Sequence, residues 1–232
     1  MSGVGFKIST HREGRRFVII ALIISALLFY ISKYIGFISL ILPFFVMYFF
    51  RNPQRVIPVG DHIIVSPADG VVSCIRYEEP SKALNIGEEK RYCVSIFLSV
   101  FNVHINRIPA TGTIKNVIYT PGKFFNATFD KSSVFNERNT IVMDTKYNGS
   151  SIAFTQIAGL IARRIVCYGY SGQEVEAGNI FGLIRFGSRC DIWLPVGSKP
   201  LVLEGQTMVG GETIICNMMN DDCLGIVGSK VL

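Results

Sequence analysis

Apolar residues follow two different patterns along this chain. From residue 17 to residue 50 they are nearly continuous, interrupted only by Lys33-Tyr34-Ile35-Gly36 between runs at 17–32 and 37–50. From residue 57 onward they come in short runs punctuated by Gly, Pro, Asn and Asp. The first pattern predicts helix. A single straight helix through the block would be about 51 Å long, against a hydrocarbon core of roughly 30 Å, so the block is expected to fold back on itself. Lys7, Arg12, Arg15 and Arg16 precede it, and Arg51 and Arg55 follow it. Basic residues on both sides place both ends on the cytoplasmic face of a membrane. The expectation is a hairpin of two short helices, about 24 and 21 Å long, turning at residues 33–36. A signal peptide fits less well, because no small-residue cleavage site follows Ser32 and the apolar run resumes.

The second pattern predicts strands at 63–65, 71–77, 92–98, 114–119, 140–144, 151–157, 165–168, 182–186, 190–194, 201–203 and 213–216. A helix competes only at 157–166, where Gly159 weakens it. The fold class is therefore all-β with an N-terminal helical membrane hairpin. Residues 172–178 and 205–211 share a layout, Gly-Gln leading to a second glycine, like the hairpins of lipoyl and biotinyl domains. That likeness suggests a barrel-sandwich hybrid and two related halves. The domain reading is a basic cytoplasmic tail at 1–16, a membrane anchor at 17–50 and a catalytic β domain at 51–232.

Composition changes the picture in two ways. The net charge of +6 is concentrated beside the apolar block, which points to anionic lipid headgroups and away from nucleic acid. The cysteines at 74, 93, 167, 190, 216 and 223 form no C-x-x-C pair, so neither a disulfide framework nor a metal site is expected. Their strand-like surroundings suggest small buried hydrophobes in a reducing compartment, consistent with a cytoplasmic catalytic domain.

Candidate chemistry centres on Gly187-Ser188, set within an otherwise strand-like run at 181–189. A hydroxyl next to a glycine carbonyl can attack it through a five-membered ring, and the missing Cβ removes the steric obstacle. Gly-Ser is also a common turn dipeptide, so its context has to decide. A serine nucleophile needs a base. Of His11, His62 and His104, only His104 follows a buried-looking run, at 94–101, while Asp69 lies in a tight turn before Gly70. Ser188, His104 and Asp69 could form a triad. A histidine at a strand end and an aspartate before glycine are equally at home in purely structural roles.

Four stretches in order supply the context: Ser66-Pro67-Ala68-Asp69-Gly70, Phe101-Asn102-Val103-His104-Ile105-Asn106-Arg107, Gly187-Ser188 and residues 204–213. With residues 121–127 and 136–139 they resemble the short-form, pyruvoyl-dependent phosphatidylserine decarboxylases over about residues 45–215. The resemblance implies serinolysis between Gly187 and Ser188, giving a β chain of residues 1–187 and an α chain of residues 188–232. Ser188 would become a pyruvoyl group that forms a Schiff base with phosphatidylserine, and loss of carbon dioxide would leave phosphatidylethanolamine. His104 is implied as base and acid, with Asp69 orienting it. The substrate would come from the membrane, and the two chains would stay together, with a homodimer as one option for the assembly.

Two departures qualify the carry-over. The cleavage site reads Phe-Gly-Ser-Arg where many members have Leu-Gly-Ser-Thr, and Arg107 stands where longer members carry a second histidine. Arg107, Lys123 and Arg138 are candidate headgroup contacts, none of them assigned. The alternatives are a membrane-anchored Ser/His/Asp hydrolase and a lipoyl-like carrier, although neither Gly-Gln hairpin holds a lysine for modification.

Overall fold

The computed structural model describes residues 9–124, 135–159, 164–185 and 188–219. Two compact units are present, Met1–Gln54 with Phe101–Val103, and Arg55–Val100 with His104–Leu232.

In the first unit, β1 (Ser9–Thr10), α1 (Arg12–Ile31), α2 (Lys33–Ser39), α3 (Ile41–Phe49) and β2 (Arg51–Asn52) form a helical hairpin closed by the β1–β2 pair. Helix α1 starts at Arg12 and not at residue 17, because His11 Nδ1 accepts the Glu13 N–H and caps it. The chain reverses at Ser32, which is extended, and residues 33–36 instead form the first turn of α2. Small residues let the arms approach: a Cβ on Gly14 would run into Phe50, and one on Gly36 into Phe29. Pro43 has no N–H to give the Ser39 carbonyl, and Ser25 Oγ from α1 bonds that carbonyl instead, at 3.1 Å. The remaining faces are apolar and exposed, with Ile20, Leu27, Ile38, Ile41 and Phe44 among them. Helix α1 is long and apolar enough to cross a membrane.

The elements described in the second unit are strands and a short 3₁₀ turn, Lys82–Leu84. Its strands are β3 (Ile63–Val65), β4 (Gly70–Glu78), β5 (Arg91–Leu98), β6 (Ile105–Arg107), β7 (Gly112–Thr120), β8 (Arg138–Thr145), β9 (Ser151–Ile157), β10 (Arg164–Cys167), β11 (Glu174–Val175), β12 (Ile180–Arg185), β13 (Ser188–Trp193), β14 (Thr207–Met208) and β15 (Ile214–Asn217). Eight form one sheet in the order β11-β7-β8-β9-β13-β5-β4-β14, while β10-β12-β6 and β15-β3 form smaller sheets. Residues 201–203 are not a strand, and residues 164–167 are strand, not helix. Ile96, Ile141, Met143, Phe154, Leu183, Ile192 and Ile215 are buried. Each full burial of such a side chain stabilises by about 1.5–3 kcal/mol.

The register reveals a pseudo-twofold axis between Ile192 and Phe154, which pair with each other at the centre of the sheet. Strands β4, β5, β13 and β14 on one side correspond to β7, β8, β9 and β11 on the other. Asp191 opposite Ser95 matches Ala153 opposite Val142, and Arg76 opposite Cys93 matches Ile118 opposite Thr140. Both outer strands carry a bulge at the same place, between Val72 and Cys74 and between Ile114 and Asn116. The two Gly-Gln segments become the two edge strands, with matching positive φ of 83° at Gly172 and Gly205, and of 83° and 84° at Gly178 and Gly211. Strand β3 corresponds to β6, so His62 corresponds to His104. The His62 carbonyl accepts the Met218 N–H at 2.8 Å, as the His104 carbonyl accepts that of Ile184 at 3.2 Å.

Candidate active site

The run at 181–189 is two strands, not one. Strand β12 ends at Arg185 in the three-stranded sheet, and β13 begins at Ser188 in the eight-stranded sheet, paired with β5 opposite Leu98. Gly187 lies outside the described residues, and Ser188 is described by its backbone alone. The candidate scissile bond therefore falls where the chain passes from one sheet to another.

Asp69 stands at the same level of the fold. Val71 and Arg189 both pair with Phe97, on opposite edges of β5, so the starts of β4 and β13 flank the end of that strand. With neighbouring strands about 4.8 Å apart, the backbones at Asp69 and Ser188 are on the order of 10 Å apart. The turn before β4 is held by Ser66 Oγ, which donates to the Ala68 carbonyl at 2.7 Å, and a Cβ on Gly70 would strike the Phe97 carbonyl. Arg55 Nη2 straddles the Asp69 carboxylate, 2.7 Å from Oδ2 and 2.9 Å from Oδ1, and the Gly210 N–H donates to Oδ1 at 2.8 Å.

Those are the hydrogen bonds of Asp69 among the described residues, and a direct bond to His104 is not one of them. The pseudo-twofold supplies the reason. Thr111, the counterpart of Asp69, accepts the Ala177 N–H at 3.2 Å, so the scaffold turns this position toward the glycine-rich hairpin in both halves. A hydroxyl suffices for that task, and the carboxylate of Asp69 is the surplus.

Arg55 was not legible as a site residue, since its place beside the apolar block suggested lipid headgroups. In the structure it is committed to Asp69, with side chains 11% and 15% exposed. Arg51 likewise stacks on Tyr48, 3.8 Å from the ring centroid, and donates to the Tyr48 and Phe101 carbonyls.

His104 immediately precedes β6, is 2% exposed, and is held through its carbonyl by Ile184, three residues before Gly187. Two residues along, Asn106 Oδ1 accepts from Gln156 Nε2 at 2.9 Å between the sheets. Of the three basic residues weighed above, Arg107 lies in the Asp69 cluster and donates to the Gly178 carbonyl at 2.9 Å. Burial, then the neighbouring Arg55 guanidinium, lowers its pKa, against the opposing pull of Asp69 and Glu212. Arg55 and Arg107 line one cleft of about 620 Å³. Lys123 forms a bridge with Asn136, and Arg138 lines a groove with Arg76 and Asp191. Burial raises the pKa of the Cys93 and Cys190 thiols, which makes them poor nucleophiles.

Comparison with known proteins shows the family. The sequence profile of phosphatidylserine decarboxylase matches residues 42–216. The chain belongs to the phosphatidylserine decarboxylase family. It is 50% identical over 212 residues to the phosphatidylserine decarboxylase proenzyme of Rickettsia bellii (strain OSU 85-389), covering 91% of each chain. The proenzymes of Rickettsia akari (strain Hartford) and Rickettsia felis (strain ATCC VR-1525 / URRWXCal2) are each 49% identical over the same coverage. The family match takes in the eight-stranded and three-stranded sheets, β3, all of β15 except its last residue and all of α3 except its first.

Gly-Ser occurs three more times in the sequence, at 149–150, 197–198 and 228–229, and the first of these falls at the pseudo-equivalent position. Ser150, whose carbonyl accepts the Thr145 N–H at 2.9 Å, occupies in its half the place of Ser188 opposite Leu98. There the dipeptide closes a tight β8–β9 turn, with Asn148 and Gly149 at φ of 54° and 61°, and Thr111 replaces the carboxylate. The dipeptide alone does not distinguish the two places; the junction between sheets and Asp69 do.

Proposed function

We infer that this chain decarboxylates phosphatidylserine to phosphatidylethanolamine after cutting itself between Gly187 and Ser188. The observation that carries the reading is the start of β13, where Ser188 leaves a sheet junction level with Asp69, in a chain about half identical to phosphatidylserine decarboxylase proenzymes. In self-cleavage His104 takes the Ser188 hydroxyl proton, the oxygen attacks the Gly187 carbonyl, and the amide becomes an ester as the C–N bond breaks. Removal of the α-proton of residue 188 then expels the Gly187 carboxylate, and water converts the resulting enamine to a ketone with loss of ammonia.

The residues present fit such a ketone: β13 keeps its ladder to β5 on one edge and to β9 on the other once the bond before residue 188 is cut. A pyruvoyl group there supplies an electron sink for the pair released with carbon dioxide. His104, almost fully buried, is assigned the proton returned to the former α-carbon. Asp69 supports the imidazolium through its charge, shared with Arg55, and Arg107 is assigned to the headgroup anion.

The helical hairpin is assigned to the bilayer, with the β unit on the cytoplasmic face. Deleting residues 1–50 is expected to leave a soluble, self-cleaving domain whose turnover on bilayer phosphatidylserine falls at least tenfold, the result of lost co-localisation. Turnover on a short-chain, water-soluble analogue is expected to stay within about threefold on the same argument. Equal losses on both would make the hairpin part of the folded site.

An intact-mass spectrum tests the reading as a whole. Two pieces are expected, residues 1–187 and 188–232, the smaller without a free amino terminus. A single active chain of 25.8 kDa would point to a hydrolase instead.

A further inference from the structure

Beyond the site lies an ionic chain on the other face of the eight-stranded sheet, buried at Arg189 and Asp191 and opening to solvent at Arg76 and Glu78. Arg189, the residue after Ser188, donates from Nε to Asp191 Oδ1 at 2.6 Å and from Nη2 to Oδ2 at 2.8 Å. Arg76 Nη2 lies 3.7 Å from the same Oδ2, and Arg76 Nε donates to Glu78 at 2.9 Å. Arg189 and Asp191 are 2% and 5% exposed. The four charges cancel, and they run across β13 and β4 over the intervening β5. Arg76 reaches this face only because of the bulge between Val72 and Cys74. Without that extra residue, period-two alternation would send Arg76 to the core side with Val72.

Burying ions is a poor way to stabilise a fold, since desolvation offsets the attraction and apolar side chains of similar volume usually serve as well. This protein contains that apolar solution. At the pseudo-equivalent positions, Arg76, Ser95 and Asp191 are replaced by Ile118, Val142 and Ala153, which pack together with Ile86 and Leu84. The scaffold therefore has no need of charge here. At these central positions the ionic version occurs in the half whose strands begin at Gly70 and Ser188, while the other half's Lys115–Asp144 pair, which Ser151 bonds, is more exposed.

We propose that Arg189, Asp191 and Arg76 are positioning residues for self-cleavage: the ionic chain locks β13 to β4 across β5 and so holds the Ser188 end at a fixed offset from Asp69. The proposal rests on cleavage at Gly187-Ser188. Within β13 the bidentate Arg189 fork gives the Asp191 carboxylate one preferred orientation, and the Arg76 guanidinium of β4, 3.7 Å from Oδ2, meets it there, whereas apolar packing tolerates sliding by a fraction of an ångström. Displacements near 1 Å cost on the order of a hundredfold in a reaction that depends on near-attack geometry.

The test follows precursor cleavage over time in full-length chains made by cell-free synthesis with phospholipid nanodiscs. Thermal midpoints are measured on the same variants carrying Ser188→Ala, which holds every chain uncut. The combined variant Glu78→Thr, Arg76→Ile, Asp191→Ala and Arg189→Ser transplants the residues of the other half, and Arg189→Lys keeps the charge but loses the fork. We expect the combined variant to keep its midpoint within about 5 °C and to cleave 10- to 100-fold more slowly. The lysine variant should cleave three- to tenfold more slowly with an unchanged midpoint. A purely structural role would lower midpoint and cleavage together. Parental cleavage by a folded combined variant overturns the proposal. If that variant does not fold, the lysine variant decides alone, and its cleavage at the parental rate overturns the proposal. Cleavage of Ser188→Ala itself would instead remove the reading of the cleavage site.

Discussion

Ser188→Ala is expected to yield a full-length, folded chain without decarboxylase activity. The substitution removes the only atom that can carry the acyl shift at this bond, and with it the source of the ketone. Loss of a nucleophile costs at least about 10⁴-fold where it has been measured in serine catalysis, and here both processing and turnover depend on it. Folding should survive, because β13 is held by backbone hydrogen bonds to β5 and β9 that alanine keeps. Ser188→Cys and Ser188→Thr retain a nucleophile able to make the shift and should process slowly. Gel mobility and intact mass read the outcome, and normal processing of the alanine variant would place the cut elsewhere. The pseudo-equivalent Gly-Ser, at 149–150, gives an internal comparison. Ser150→Ala should leave processing unchanged, since that dipeptide sits in a tight turn without the carboxylate of Asp69.

His104→Ala should accumulate precursor, with processing slowed about 10²- to 10⁴-fold, the worth of a positioned general base. If His104 acted only in decarboxylation, the variant would cut itself normally and turn over poorly, so the two measurements separate its roles. Because His104 is almost fully buried, a thermal midpoint is needed beside the rates to show that the truncated chain is folded. Asp69→Asn probes the partner. Its amide oxygen can still accept the Gly210 N–H, but the charge facing Arg55 is gone and a mostly buried guanidinium is left without its counter-ion. We expect precursor to accumulate here too. Processing of both variants at the parental rate would end the assignment of base and supporting carboxylate.

Much of this was legible along the chain. The run of apolar residues at 17–50 could only be helix folded back on itself, and the short runs after residue 57, except 201–203, matched strands, with 63–65 and 151–157 agreeing to the residue. Those features depend on periodicity and composition, which are local. His104, Asp69 and the Gly187-Ser188 bond came from residue type and from resemblance, and the comparisons place the chain in the family so suggested. Strands β6, β11 and β14 are only two or three residues long, too short to show a period. The helix ends at Arg12 and Ser32 depended on one imidazole cap and one extended serine.

What the sequence determined by itself is the character of each segment: an apolar hairpin, an all-β unit, a Gly-Ser bond in the context of a self-cleaving family. What only the tertiary structure decided is who faces whom. Arg55 bonds an aspartate fourteen positions away, His104 lies beside the strand that leads to Gly187, and Arg76 turns to the outer face because one extra residue bulges from β4. The pseudo-twofold, with Thr111 in the place of Asp69 and an apolar cluster in the place of the ionic chain, cannot be read from spacing, because loops of unequal length separate the matching strands. Strand pairing is settled by non-local burial and backbone hydrogen bonding, which a one-dimensional pattern does not encode.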